Sequence, residues 1–81
     1  MDNRNIISLN NLPIGKTGYV NSLISDGNER RRMLDLGVVP NTKIEALYKS
    51  PSGDPIAYFI RGAVIALRNE DAQKIYISSI K

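Results

Sequence analysis

One stretch in this chain carries both the start and the stop signals of a substantial helix, and everything around it reads as short strands. The stretch is Asp26-Gly27-Asn28-Glu29-Arg30-Arg31-Arg32-Met33-Leu34-Asp35-Leu36-Gly37-Val38-Val39-Pro40. Asp26 can accept a hydrogen bond from the backbone amide three residues on, and Glu29 stands at that third position, which is the pattern of a capping box. Gly37 supplies the left-handed residue that commonly ends a helix, and Pro40 follows at the usual distance. The helix is short and marginal alone, so packing has to hold it in place. A chain with one such helix must bury most of its apolar residues on a sheet rather than between helices.

Arg30, Arg31 and Arg32 occupy the N-terminal half of this helix, where the macrodipole favours anions. Each misplaced cation costs about 0.3–1 kcal/mol at an exposed end. Asp35 can pair with Arg31 or Arg32, with the basic residue first, the weaker order for such pairs. The apolar residues crowd toward the C-terminal end, so that end is expected to be anchored and the arginine end to project. Two readings of the arginines stay open: a solvated basic face, or a docking surface for an acidic partner.

The strands follow from local alternation and turn chemistry. Ile6, Ile7 and Leu9 begin a first strand, and Asn10 to Pro13 and Gly15 to Gly18 read as turns, with Leu9 and Leu12 pointing into a core. Gly18 to Ile24 forms the second strand, with Tyr19 and Leu23 on one face and Val20 and Ile24 on the other. After the helix, Thr42 to Lys49 alternates so that Ile44, Ala46 and Tyr48 share an apolar face. Ser50-Pro51-Ser52-Gly53-Asp54-Pro55 is a strong turn signal. Ile56 to Arg61 is apolar on both faces, which predicts a strand that is central or covered on each side. Arg61-Gly62 turns the chain, and Ala63 to Arg68 pairs back. Asn69 can cap a single helical turn through Glu70, Asp71 and Ala72. Ile75 to Ser78 is the last strand and a candidate open edge for self-association.

These elements predict one domain over residues 1–81, mainly β, built as a small closed or half-open barrel. One short α-helix follows the second strand, and a short helical turn lies near the C-terminus. No apolar run approaches the ~20 residues of a membrane-spanning helix. Met1 to Asn5 shows no signal-peptide pattern, so a cytoplasmic location is the default expectation.

The chain has no histidine and no cysteine. A Ser-His or Cys-His nucleophile pair is therefore impossible. A metal site would have to use carboxylates, carbonyls and waters, a donor set that suits magnesium, calcium or manganese. Gly15-Lys16-Thr17 echoes the end of a phosphate loop, but the first glycine of that pattern is missing and a hairpin turn explains it. Glu70 and Asp71 are acids at a helix start. Tyr19, Tyr48, Tyr58, Phe59 and Tyr76 could stack bases or bind peptides. In so small a core they are expected to pack, with the tyrosine hydroxyls at the rim. The net charge of +3 is mild, with acids mixed among the bases, so no nucleic-acid partner is expected. These residues point to a non-enzymatic binding module with no cofactor.

The order of motifs resembles a known family. Leu9 and Leu12 come first, then Gly15 and a strand with Val20, then a helix ending Arg32-Met33-Leu34-Asp35-Leu36-Gly37-Val38-Val39-Pro40. A strand with Ile44, a Gly53-Asp54-Pro55 turn and Ile65-Ala66-Leu67-Arg68 before Ala72 and Ile75 complete it. From about Ile7 to Ile77 the chain resembles the FeoA family, the small cytosolic partner of the bacterial ferrous iron transporter FeoB. Where the family often has glycine, this chain has Asn41, which tolerates the left-handed region.

The resemblance implies an SH3-like barrel that supports ferrous iron uptake by acting on FeoB. It implies related domains in iron- and manganese-dependent repressors, and transition-metal binding is associated with the family, which leaves weak binding of a divalent metal open. FeoB carries a cytosolic GTP-binding domain. A basic helix end of Arg30, Arg31 and Arg32 would approach an acidic surface on it, with an apolar cleft of Met33, Leu36, Val38 and Val39 beside the helix. Two other readings stand beside this one: a metal-responsive SH3-like domain related to iron-dependent repressors, and a small nucleic-acid-binding barrel.

Overall fold

Turn residues cut the chain into six strands and two short helices, which a computed structural model describes over residues 5–79. Strand β1 spans Asn5–Ser8 and runs into a single 3-10 turn, Leu9–Asn11. Strand β2 spans Thr17–Leu23, helix α1 Gly27–Asp35 and strand β3 Lys43–Lys49. Strand β4 spans Ile56–Ile60, strand β5 Ala63–Leu67, helix α2 Asn69–Ala72 and strand β6 Ile75–Ser79.

All strand pairs are antiparallel, in the order β1-β6-β2-β3-β4-β5. Strands β1 and β5 end this order and do not pair with each other, so the barrel is half-open. The last strand is therefore not an edge. Strand β6 is held between β1 and β2, and the exposed edges fall to β1 and β5.

The curled sheet wraps one core, with Leu9, Val20, Ile44, Tyr58, Ile60, Ile75 and Ile77 fully or almost fully buried. Each such aliphatic side chain contributes on the order of 1.5–3 kcal/mol by leaving water. Leu9 and Leu12 both reach this core across the turn that separates them, as expected. Tyr58 is the exception to tyrosine hydroxyls at the rim. It is fully buried, and its hydroxyl donates to the Leu9 carbonyl oxygen at 3.4 Å.

Two bulges change which side chains face the core. In β2 the register with β6 slips between Val20 and Ser22. A regular strand sends residues three apart to opposite faces, yet Val20 and Leu23 both pack on the core, and Ile24 is left 61% exposed. In β3 the register with β4 slips between Ala46 and Tyr48. Ile44 and Ala46 point inward as the alternation predicts, but Tyr48 is turned out to solvent. The extra residue in each strand inverts the alternation that follows it. Strand β4 is central, as expected; on its outer side Ala57 is buried and Phe59 faces solvent.

Candidate functional site: the arginine helix and its groove

Helix α1 ends as its sequence dictates. Gly37 adopts φ 96, the Val38 amide donates to the Met33 carbonyl at 3.0 Å, and the Gly37 amide donates to the Leu34 carbonyl at 3.0 Å. This is a Schellman closure, in which two carbonyls of the last turn gain donors. Its apolar pair is Met33 and Val38, both buried in the core. They anchor the C-terminal end of the helix, and residues 27–32 are all exposed.

The start of the helix is built differently from the sequence pattern. Asp26 is the N-cap by position, but its side chain makes no capping hydrogen bond. Glu29 does not reach back to complete a capping box. Its carboxylate accepts from Lys74 Nζ at 3.1 and 3.2 Å, tying the first turn of α1 to the loop before β6. Likewise Arg32 reaches not along its own helix to Asp35 but across to Asp71 of α2, at 3.6 Å. Both contacts are partly solvated, so each is worth at most about 1 kcal/mol. Their effect is to orient α1 against α2. At α2 the cap is also borrowed. Asn69 is the first helical residue rather than the cap, and its amide donates to the Asp54 carboxylate in the β3–β4 loop at 2.9 Å.

The residues proposed for partner binding therefore separate into two groups. Arg30, Arg31 and Arg32 lie together on the exposed flank, with Arg30 Nη1 donating to the Leu23 carbonyl at 3.5 Å. Leu36 and Val39 are half-buried. Met33 and Val38 belong to the core, where the helix stop that the sequence encodes uses them as its apolar clamp. A groove of about 570 Å³ does run between α1 and the β5–α2 segment. Arg32 and Leu36 form one wall, Ile65 and Arg68 the other, and Met33 contributes to the lining. The pairings of Glu29 with Lys74 and of Arg32 with Asp71, which set the helix orientation, had no signal in the sequence, because the partners are far apart along the chain.

The chain has no histidine or cysteine, and among the described residues no three carboxylates converge on one point. Among the titratable groups, Tyr58 is displaced clearly: burial pushes its hydroxyl up to about 12. That proton is engaged with Leu9 in the core, away from any groove. No helix among the described residues is long and apolar enough to cross a membrane.

Comparison with known proteins agrees with this architecture. A search of curated proteins finds no match. Among solved structures, a FeoA-like protein from Clostridium acetobutylicum is 32% identical with a TM-score of 0.86, the match covering 100% of this chain and 92% of that one. FeoA from Stenotrophomonas maltophilia, solved in complex with zinc and described as a prokaryotic SH3 domain protein, is 24% identical with a TM-score of 0.77, covering 88% of each chain. A manganese-dependent transcriptional repressor is 21% identical with a TM-score of 0.84, covering 99% of this chain and 45% of that one, a likeness of fold alone. The SH3-like fold expected from the sequence is thus the observed one. The FeoA domain, found in a family linked to ferrous iron transport, matches residues 7–79, and this chain belongs to the FeoA family.

Proposed function

We propose that this protein is a small cytosolic, non-enzymatic accessory factor of bacterial ferrous iron uptake, which binds and modulates the membrane transporter FeoB. The observation that carries the reading is the family match across nearly the whole described chain. The contact is assigned to the exposed flank of α1. Arg30, Arg31 and Arg32 steer the approach to an acidic surface of the cytosolic GTP-binding domain, and Leu36 and Val39 supply apolar contact at the anchored end. The ion pairs to Asp71 and Lys74 hold the helix ready, so little ordering is required on binding.

The test is a titration of nitrogen-15-labelled protein with the isolated cytosolic domain of FeoB, with and without guanine nucleotide, followed by amide shifts. Shifts confined to Arg30 through Val39, and lost when the three arginines are replaced by glutamate, are the expected result. A nucleotide-dependent response adds sensing of the GTPase state. Unchanged affinity of the glutamate variant removes α1 from the interface, and no shift with either the isolated domain or full-length FeoB in detergent overturns the reading.

A further inference from the structure

The outer face of β3, β4 and β5 exposes three large apolar side chains, Tyr48, Phe59 and Val64. Strand register sets Phe59 beside Val64 on β5 and Glu45 on β3. Two residues along, Ala57 stands beside Ala66 and Tyr48. Residues two apart on a strand share a face, so these rows adjoin. Tyr48 is 60% exposed, Val64 59% and Phe59 42%. Phe59 and Val64 are cross-strand neighbours, so they form one exposed apolar pair. The bulge at Ala46/Tyr48 is what adds Tyr48 to this face.

Charge is distributed unevenly around the molecule. On the helix side the arginines stand among Asp26, Glu29 and Asp35, and Arg32 and Lys74 are paired with Asp71 and Glu29. The outer face of the sheet lacks that balance. Lys43, Arg61 and Phe59 line a groove of about 310 Å³, and a second groove of about 390 Å³ continues past Lys43 to Lys16 and Tyr19. Glu45 is the lone carboxylate lining either groove.

We infer that this face docks an acidic polypeptide segment carrying one large apolar side chain. That side chain covers Phe59 and Val64, and carboxylates beside it meet Lys43, Arg61 and Lys16. Charge complementarity selects an anionic occupant. The position of Glu45 beside Phe59 selects a peptide, whose charges can be spaced to avoid it, over a nucleic acid, whose phosphates are uniformly repeated. The face is on the side of the sheet away from the core and meets the end of α1 only where Arg61 crosses Gly37, so it is separate from the exposed arginines of α1 and does not depend on the FeoB reading.

The chain contains no tryptophan, so the fluorescence of a tryptophan peptide reports binding without background. The probe is a synthetic peptide of alternating glutamate and glycine with one central tryptophan, titrated against labelled full-length protein. The expected result is a saturable blue shift of the tryptophan together with amide shifts at Lys43, Phe59, Arg61 and Val64. A Lys43→Glu, Arg61→Glu double variant should bind on the order of tenfold more weakly or worse. Phe59→Ser should abolish the blue shift, and Val64→Ser provides the same readout if the first variant fails to fold. The inference is overturned by the absence of a saturable shift, by equal binding of a lysine-for-glutamate peptide, or by shifts confined to Arg30 through Val39. Binding of oligothymidylate or anionic phospholipid vesicles at this face, with none of the peptide, overturns it as well.

Discussion

The side chain of Arg61 lies across Gly37, so close that a Cβ on the glycine would stand 2.5 Å from Arg61 Cδ. Both residues have positive φ, 96 for Gly37 and 50 for Arg61. The contact joins the end of α1 to the β4–β5 turn and brings a cation to the carbonyl end of the helix, where the macrodipole favours it.

Gly37→Ala is expected to destabilise the fold by about 1–2 kcal/mol, because an alanine is strained at this φ and must also displace Arg61. Removing the arginine side chain as well relieves only the second part. Urea unfolding of Gly37→Ala, Arg61→Ala and the double variant separates the two contributions. Additive losses would show that the contact carries no energy.

Gly18 sits where β2 passes β6, and a Cβ there would stand 2.6 Å from Ile77 Cδ1 and 3.2 Å from the Ser78 carbonyl oxygen. Gly18→Ala therefore overpacks the core and is expected to cost about 1–3 kcal/mol. Gly18→Ala combined with Ile77→Val should recover part of the loss, as read from the shift in thermal midpoint.

Tyr58 links stability to alkaline pH. Unfolded, its hydroxyl loses a proton near 10, whereas burial pushes it to about 12 in the folded state. The unfolded chain therefore releases this proton first as pH rises. The contribution is intact below pH 10 and is lost progressively toward pH 12. Urea midpoints across that window should fall more steeply for the parent than for Tyr58→Phe. The variant should also lose about 1 kcal/mol at neutral pH, because the buried Leu9 carbonyl loses one of its two donors and keeps only the Leu12 amide.

The helix caps give a paired prediction. Asp26 makes no side-chain cap, so Asp26→Ala should cost less than the ~1 kcal/mol typical of an N-cap. Asp54 does accept from the first amide of α2, from fifteen residues away, so Asp54→Ala should cost more than Asp26→Ala. Equal losses in urea unfolding would show that the borrowed cap is energetically silent.

Much of this molecule was legible in its residues because the relevant physics is local. The Gly37 stop, the left-handed Asn41 with φ 72, the Arg61-Gly62 turn and the alternation of Ile44 and Ala46 depend on neighbours within a few residues. So does the family pattern that runs from Leu9 and Leu12 to Ile75. Ile24 and Tyr48 were misread for an equally definite reason. Alternation assigns faces only while the count of residues is the same on both strands, and each bulge adds one that the strand itself does not announce.

The chain by itself determined the number and order of its elements, the end of its helix, the absence of histidine and cysteine chemistry, and its family. Tertiary structure alone decided that β6 lies inside the sheet and β5 at its edge, because strand order depends on which strands meet after the chain has closed on itself. It alone decided that Glu29 and Arg32 serve Lys74 and Asp71 rather than their own helix. It also withdrew Met33 and Val38 into the core and left Phe59 and Val64 uncovered. An apolar residue reads the same in sequence whether it will be buried or exposed, and only packing distinguishes the two.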